Sequence, residues 1–174
     1  MVPACPEWNF RQLVSHMVGV PEDILTGNMD GVTTQAWTAA QVARHLGKSL
    51  NELAESYEST GQIFDEVLPM IPEPLNSQMV MDAVTHELDL RDALGDLGAR
   101  NSSAVDVALG WLRFAFAAQI SAGTFDPFDD DELDRYELLR SMTGRRSVVE
   151  MNALGLDGAA IALALQGTPI SVPV

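Results

Sequence analysis

The stretch Met81–Gly95, MDAVTHELDLRDALG, carries Asp82, His86 and Asp89 at offsets of four and three. Within a helix these spacings bring side chains together on one face. At roughly 100° per residue the three lie within about 60° of each other, with Asp82 and His86 about 6 Å apart along the axis. A carboxylate and an imidazole on successive turns make half of a site for Zn²⁺ or a similar divalent cation. The same pair also arises as a solvated i,i+4 contact, and spacing by itself leaves both readings open. His16, in the segment Asn9–Val20 (NFRQLVSHMVGV), is the best candidate for the other half. It stands among Leu13, Val14, Met17 and Val18, where an unpartnered imidazole would be costly to bury. Both segments are therefore expected to face a shared interior in which polar groups find partners.

What surrounds these segments points to an all-α fold. Ala and Leu dominate over Val and Ile, and no alternating strand pattern persists. A chain of 174 residues suggests a single domain, read here as a helical bundle core over 1–122 and a C-terminal helical extension over 123–174. The formal net charge of −15 argues against nucleic acid or an anionic membrane as partner, because both need clustered Lys and Arg. One cysteine excludes an internal disulfide and any Cys-rich zinc motif. There is no basic-then-apolar leader and no apolar run near about 18 residues, so a cytoplasmic protein is expected.

Residues 1–8 hold two prolines and read as an extended lead-in. Asn9 is the expected N-cap of a first helix ending near Gly19 or the Val20–Pro21 step, with a short turn of helix over Pro21–Leu25. Residues 26–33 read as a loop. Thr34 or Thr38 caps a helix through Leu46 that Gly47 stops. Ser49 and Glu52 form a capping-box pattern for a longer helix bearing Leu50, Leu53, Tyr57, Ile63, Phe64 and Val67. Prolines 69–74 break the chain before a helix over Asn76–Leu94 that Gly95 ends. The segment from Ser102 or Ser103 to Ala122 is apolar nearly all round and is expected to be the most buried helix. A loop over 123–130, a helix over Asp130–Met142, a short helix ending near Leu154, a turn at Gly155–Gly158, a helix over Ala159–Leu165 and an extended tail complete the reading.

Two stretches carry a family resemblance. Cys5–Gly19, CPEWNFRQLVSHMVG, resembles the "CPGW-TVRDLVAHL-G" segment of the mycothiol-dependent maleylpyruvate isomerase-like proteins of actinobacteria, within the DinB/YfiT-like superfamily. Asp82–Gly95 is similar to that family's motif acidic-xxx-His-xx-Asp-Leu-xx-Ala-Leu-Gly, and Thr143–Ser147 (TGRRS) resembles a C-terminal signature of one subgroup. The resemblance implies a DinB-like four-helix bundle with a divalent metal, zinc first and nickel second, held by His16, Asp82 and His86. An open coordination position would take a thiol such as mycothiol, lower its pKa and present it as nucleophile in a small-molecule transfer or isomerisation. Asp89 would stand behind a ligand histidine and accept its ring N–H. A solvated charge or a helix–helix salt bridge is the alternative for Asp89. Family members carry a long helix ahead of the CPGW segment, where almost nothing precedes Cys5 here. The groove this implies would be covered by late helices or by a second copy, and a homodimer is the expectation.

Other residues invite plainer readings. Nothing near Cys5 in sequence would lower its pKa, so it reads as a packing residue of the lead-in. His45, beside Lys48, reads as a surface histidine at a helix C-terminus. Trp8 and Trp37 are expected to anchor the lead-in and loop, and Trp111 to lie in the core. Arg145 and Arg146 can grip an anionic carboxylate, with pairing to the acidic cluster at 130–132 the favoured alternative. The rival to a metal-dependent enzyme is a non-catalytic dimeric bundle with a vestigial or structural metal site.

Overall fold

The first three helices each begin where a side chain can satisfy a free amide of the first turn. In the computed structural model, which describes residues 1–120, 127–130 and 132–172, Asn9 accepts from the Gln12 amide while the Gln12 side chain accepts from the Asn9 amide. This reciprocal cap starts α1, Phe10–Thr26. Helix α2, Gln35–Arg44, is capped by Thr34, and α3, Leu50–Val67, by the expected Ser49–Glu52 box. A 3₁₀ turn at Leu68–Met70 leads to α4, Leu75–Leu94, which Gly95 ends in the left-handed conformation. Helix α5 spans Ser103–Ile120. After a 3₁₀ turn at Pro127–Asp129 come α6 (Arg135–Met142), α7 (Val148–Ala153) and α8 (Gly158–Leu165). The described residues form an all-α bundle, and none of their helices is long and apolar enough to cross a membrane.

Four local expectations need correction. Helix α1 runs through Pro21 instead of stopping there. The proline forfeits one helical hydrogen bond, but the turn beyond it buries Asp23, which takes hydrogen bonds from Asn28, Gln41 and Arg44. Residues 1–8 are folded back, not extended. Val2 donates to Trp8 O at 2.9 Å, Cys5 to Val2 O at 3.0 Å and Trp8 to Cys5 O at 2.8 Å. The prolines suit such turns because their φ is already set. Helix α6 begins at Arg135 behind Asp134, not at Asp130. The tail turns at 168–171, where the Ser171 amide donates to Thr168 O, before residue 172. The expected helix end at 121–122 and residues 123–126 of the loop at 123–130 lie outside the described residues, as do Asp131 and residues 173–174.

Packing divides the helices into two groups that meet at α1 and α4. Helix α1 packs on α2 and α3, while α4 runs along α5, which α6 and α8 also cover. The continuous core joins Val84 and Leu88 of α4 to Ala108 and Leu112 of α5, Leu139 and Met142 of α6, Met151 of α7 and Ile161 of α8. Burial of each large side chain is worth about 1.5–3 kcal/mol. Helices α6 to α8 thus share the core of α4 and α5. Helix α5 is not buried all round. Val105, Ala108, Leu109 and Leu112 form a buried stripe at helical spacing, while Val107 and Phe114 on another face are 41% and 73% exposed.

Candidate metal centre

The junction of α1 and α4 brings His16, Asp82 and His86 together, with one potential ligand atom from each lying within 4.8 Å of the others. His16 Nε2 is 3.8 Å from Asp82 Oδ2, and His86 Nε2 is 3.7 Å from Asp82 Oδ1. The two imidazoles meet edge to face with centroids 5.1 Å apart. Trp8, held by the folded lead-in, covers both rings at centroid distances of 5.1 and 5.9 Å. The histidine side chains are 6% and 12% exposed against 34% for Asp82, so the site opens to solvent on the carboxylate side.

Each ring is held from behind. His86 Nδ1 lies 3.1 Å from Asp89 Oδ2, and His16 Nδ1 lies 2.7 Å from Gln41 Oε1. Asp89 is buried, and although burial alone would raise its pKa, His86, Arg145 and Arg140 hold its carboxyl well below the usual carboxylate range. An ionised carboxylate only accepts hydrogen bonds, so His86 carries a proton on Nδ1, and in the neutral ring the lone pair is then on Nε2. Asp89 therefore stands behind the His86 ring and accepts its Nδ1–H. It also forms a helix–helix salt bridge with Arg140 Nη1 of α6 at 2.6 Å, and pairs with Arg145 Nη2, from the turn after α6, at 2.8 Å. The solvated alternative is excluded by its burial.

At His16 burial pulls the imidazole pKa down, but Asp82 and Gln41 outweigh it and the net shift is upward. Burial pushes Asp82 up, while His16 and His86 pull it further down. The donor set of two imidazole nitrogens and a carboxylate oxygen, with one open side, suits Zn²⁺ or a related divalent ion. Cys5, His86 and Asp89 also converge. There, however, Arg145 Nη2 lies 3.5 Å from Cys5 Sγ and 2.8 Å from Asp89 Oδ2, so a guanidinium already fills the place of a cation. Burial is the main reason the Cys5 thiol is pushed up to about 11, which leaves it a poor thiolate donor.

Three other expectations change. His45 is buried at the end of α2, with Nε2 3.0 Å from Glu22. Arg145 turns to Asp89 and Arg146 to Glu137 instead of the acidic residues at 130–132. Trp111 is half-buried at the core's edge, against Phe116. Trp37 does anchor the loop, its Nε1 donating to Asn28 O at 3.1 Å. Gln41, Asp23 and Arg140 were not singled out from sequence. A signal for Gln41 exists, since it follows Trp37 by four residues and shares its buried face. Comparison of the chain with protein-family models, curated proteins and solved structures found no match.

Proposed function

We propose that His16, Asp82 and His86 bind one divalent cation, zinc first and nickel second, in a thiol-dependent transferase or isomerase acting on a small molecule. One observation carries this reading. Both Nε2 atoms face the two oxygens of Asp82, while both Nδ1 atoms are held by buried acceptors. Fixing the far nitrogen of each imidazole is how proteins orient histidine ligands. An ion with three protein donors and an open position would lower the pKa of a thiol and supply a thiolate near neutral pH. The chain's own residues shape what reaches it. Trp8 walls one side, the exposed edge of Asp82 leaves the approach, and Arg140 and Arg145 keep Asp89 ionised behind His86. The resemblance to mycothiol-dependent maleylpyruvate isomerase-like proteins supplies the class of thiol and of reaction. A cytoplasmic location goes with that co-substrate.

The second reading is a non-catalytic dimer with a structural or vestigial metal site. Its support is the apolar face of α5, where Val107 and Phe114 stand seven residues apart and exposed. Metal content decides between them first. Mass spectrometry on untagged protein should find about one zinc or nickel per chain in the wild type, as a single three-ligand site requires, and none in His86→Ala. A wild type free of metal after refolding with zinc would end the three-ligand assignment.

A further inference from the structure

The metal-facing state of His16 depends on an amide, and an amide can point either way. Gln41 is fully buried, with Oε1 2.7 Å from His16 Nδ1 and Nε2 2.8 Å from Asp23 Oδ2. Asp23 is itself buried and takes Asn28 Nδ2 at 2.8 Å and Arg44 Nη2 at 2.5 Å on its other oxygen. With every neighbour donating, Asp23 can only accept, so the Gln41 NH₂ must face it and the Gln41 oxygen must face His16. That oxygen then requires the His16 proton on Nδ1. Two acceptors compete for this one proton, Gln41 Oε1 at 2.7 Å and Asp82 Oδ2 at 3.8 Å from Nε2, and only the first is within hydrogen-bond reach. Gly19 makes the approach possible. A Cβ there would sit 2.5 Å from Gln41 Cβ and 2.7 Å from its Cγ, so any larger residue drives α2 away from His16.

We infer that Asp23 and Gln41 form a directional relay that fixes neutral His16 as the Nδ1–H tautomer and keeps its Nε2 lone pair on the Asp82 side, available to a metal. The inference rests on the metal reading for its purpose but not for its test. Asp23 and Gln41 are positioning residues, touching neither the ion nor any substrate. The direction of the relay reverses when its end is changed. In Asp23→Asn the remaining carbonyl oxygen stays with Arg44 and Asn28, so the new NH₂ points at Gln41 and turns its amide around. The Gln41 NH₂ then faces His16 Nδ1, and the proton moves to Nε2. Adding Gln41→Glu restores the original sense, because the asparagine donates to a carboxylate that accepts from His16 Nδ1.

The test reads the ring nitrogens of His16 by ¹⁵N NMR in chelator-treated protein, at a pH where the imidazole is neutral. The wild type should show a protonated Nδ1 and a lone-pair Nε2. Asp23→Asn should show the reverse, and the Asp23→Asn/Gln41→Glu double variant the wild-type pattern. Gly19→Ala, whose only addition is the intruding methyl, should weaken the preference, and recovery in the double variant guards against a reversal caused by misfolding. Zinc affinity, followed in parallel, should fall about 10–100-fold in Asp23→Asn and recover in the double variant. An unchanged Nδ1–H tautomer in Asp23→Asn, or no recovery in the double variant, would overturn the relay. A wild type with the expected tautomer and no affinity for zinc would defeat the metal reading and leave the relay standing.

Discussion

Replacing Asp89 by Asn should cost this protein more than removing any single exposed charge. The Asp89 carboxylate receives Arg140 Nη1 at 2.6 Å and Arg145 Nε at 3.2 Å on one oxygen. On the other it receives Arg145 Nη2 at 2.8 Å and His86 Nδ1 at 3.1 Å. An asparagine there sets its NH₂ against a guanidinium in either orientation and leaves two buried positive charges short of a counter-ion. Removing one partner of a buried pair costs about 3–5 kcal/mol. Arg140 keeps a second partner, Asp92 at 3.3 Å, which places the expected loss near the lower end, about 3 kcal/mol. At about 2–4 °C per kcal/mol for a chain of this size, the midpoint should fall by roughly 6–12 °C. Urea and thermal unfolding followed by helical circular dichroism would measure both. Asp106→Asn, whose partner Arg135 is exposed with it, serves as control and should match wild type within error. A loss below about 1 kcal/mol for Asp89→Asn, the range of surface pairs, would refute the buried node.

Two further outcomes follow from the same structure. Gly144→Ala forces φ 74° on a residue with a Cβ that would collide with Ile170 O, so stability should fall by at least the roughly 1–3 kcal/mol of such backbone strain, as urea unfolding would measure. Burial alone would raise the Asp23 pKa, but hydrogen bonds from Asn28, Gln41 and Arg44 depress it below its ordinary 3.8. The stability this lends is complete above about pH 5 and fades as pH falls through and below the ordinary value. In urea titrations across that range Asp23→Asn should therefore lose stability less steeply than wild type, and an identical slope would exclude the depressed carboxyl.

Much of the fold could be read directly because helix ends are written locally. Asn9, Thr34, Ser49 and Gly95 all cap where their residue types suggest, as short-range hydrogen bonding and left-handed backbone demand. The readings that failed depended on distant partners. Pro21 looked like a stop because the burial of Asp23 against α2 is invisible in the local string. His45 looked like a surface residue, and Arg145 like a partner of residues 130–132, because Glu22 and Asp89 are far from them in sequence. The meeting of His16 with Asp82 and His86 could be framed from the i,i+4 spacing and the apolar setting of His16. The Gln41–Asp23 support could not, since it needs α2 seated over Gly19.

Asp89 also has a consequence for the order of assembly. All three candidate ligands precede Arg140 and Arg145 along the chain, which is made in the N- to C-terminal direction. The arginines that hold Asp89 in its ionised, ring-orienting state come 51 and 56 residues after it. A nascent chain therefore presents the donors long before it can poise them, and closing that long loop is a late and entropically costly event. The ionised, ring-facing state of Asp89 thus reports that α6 and the turn beyond it have docked.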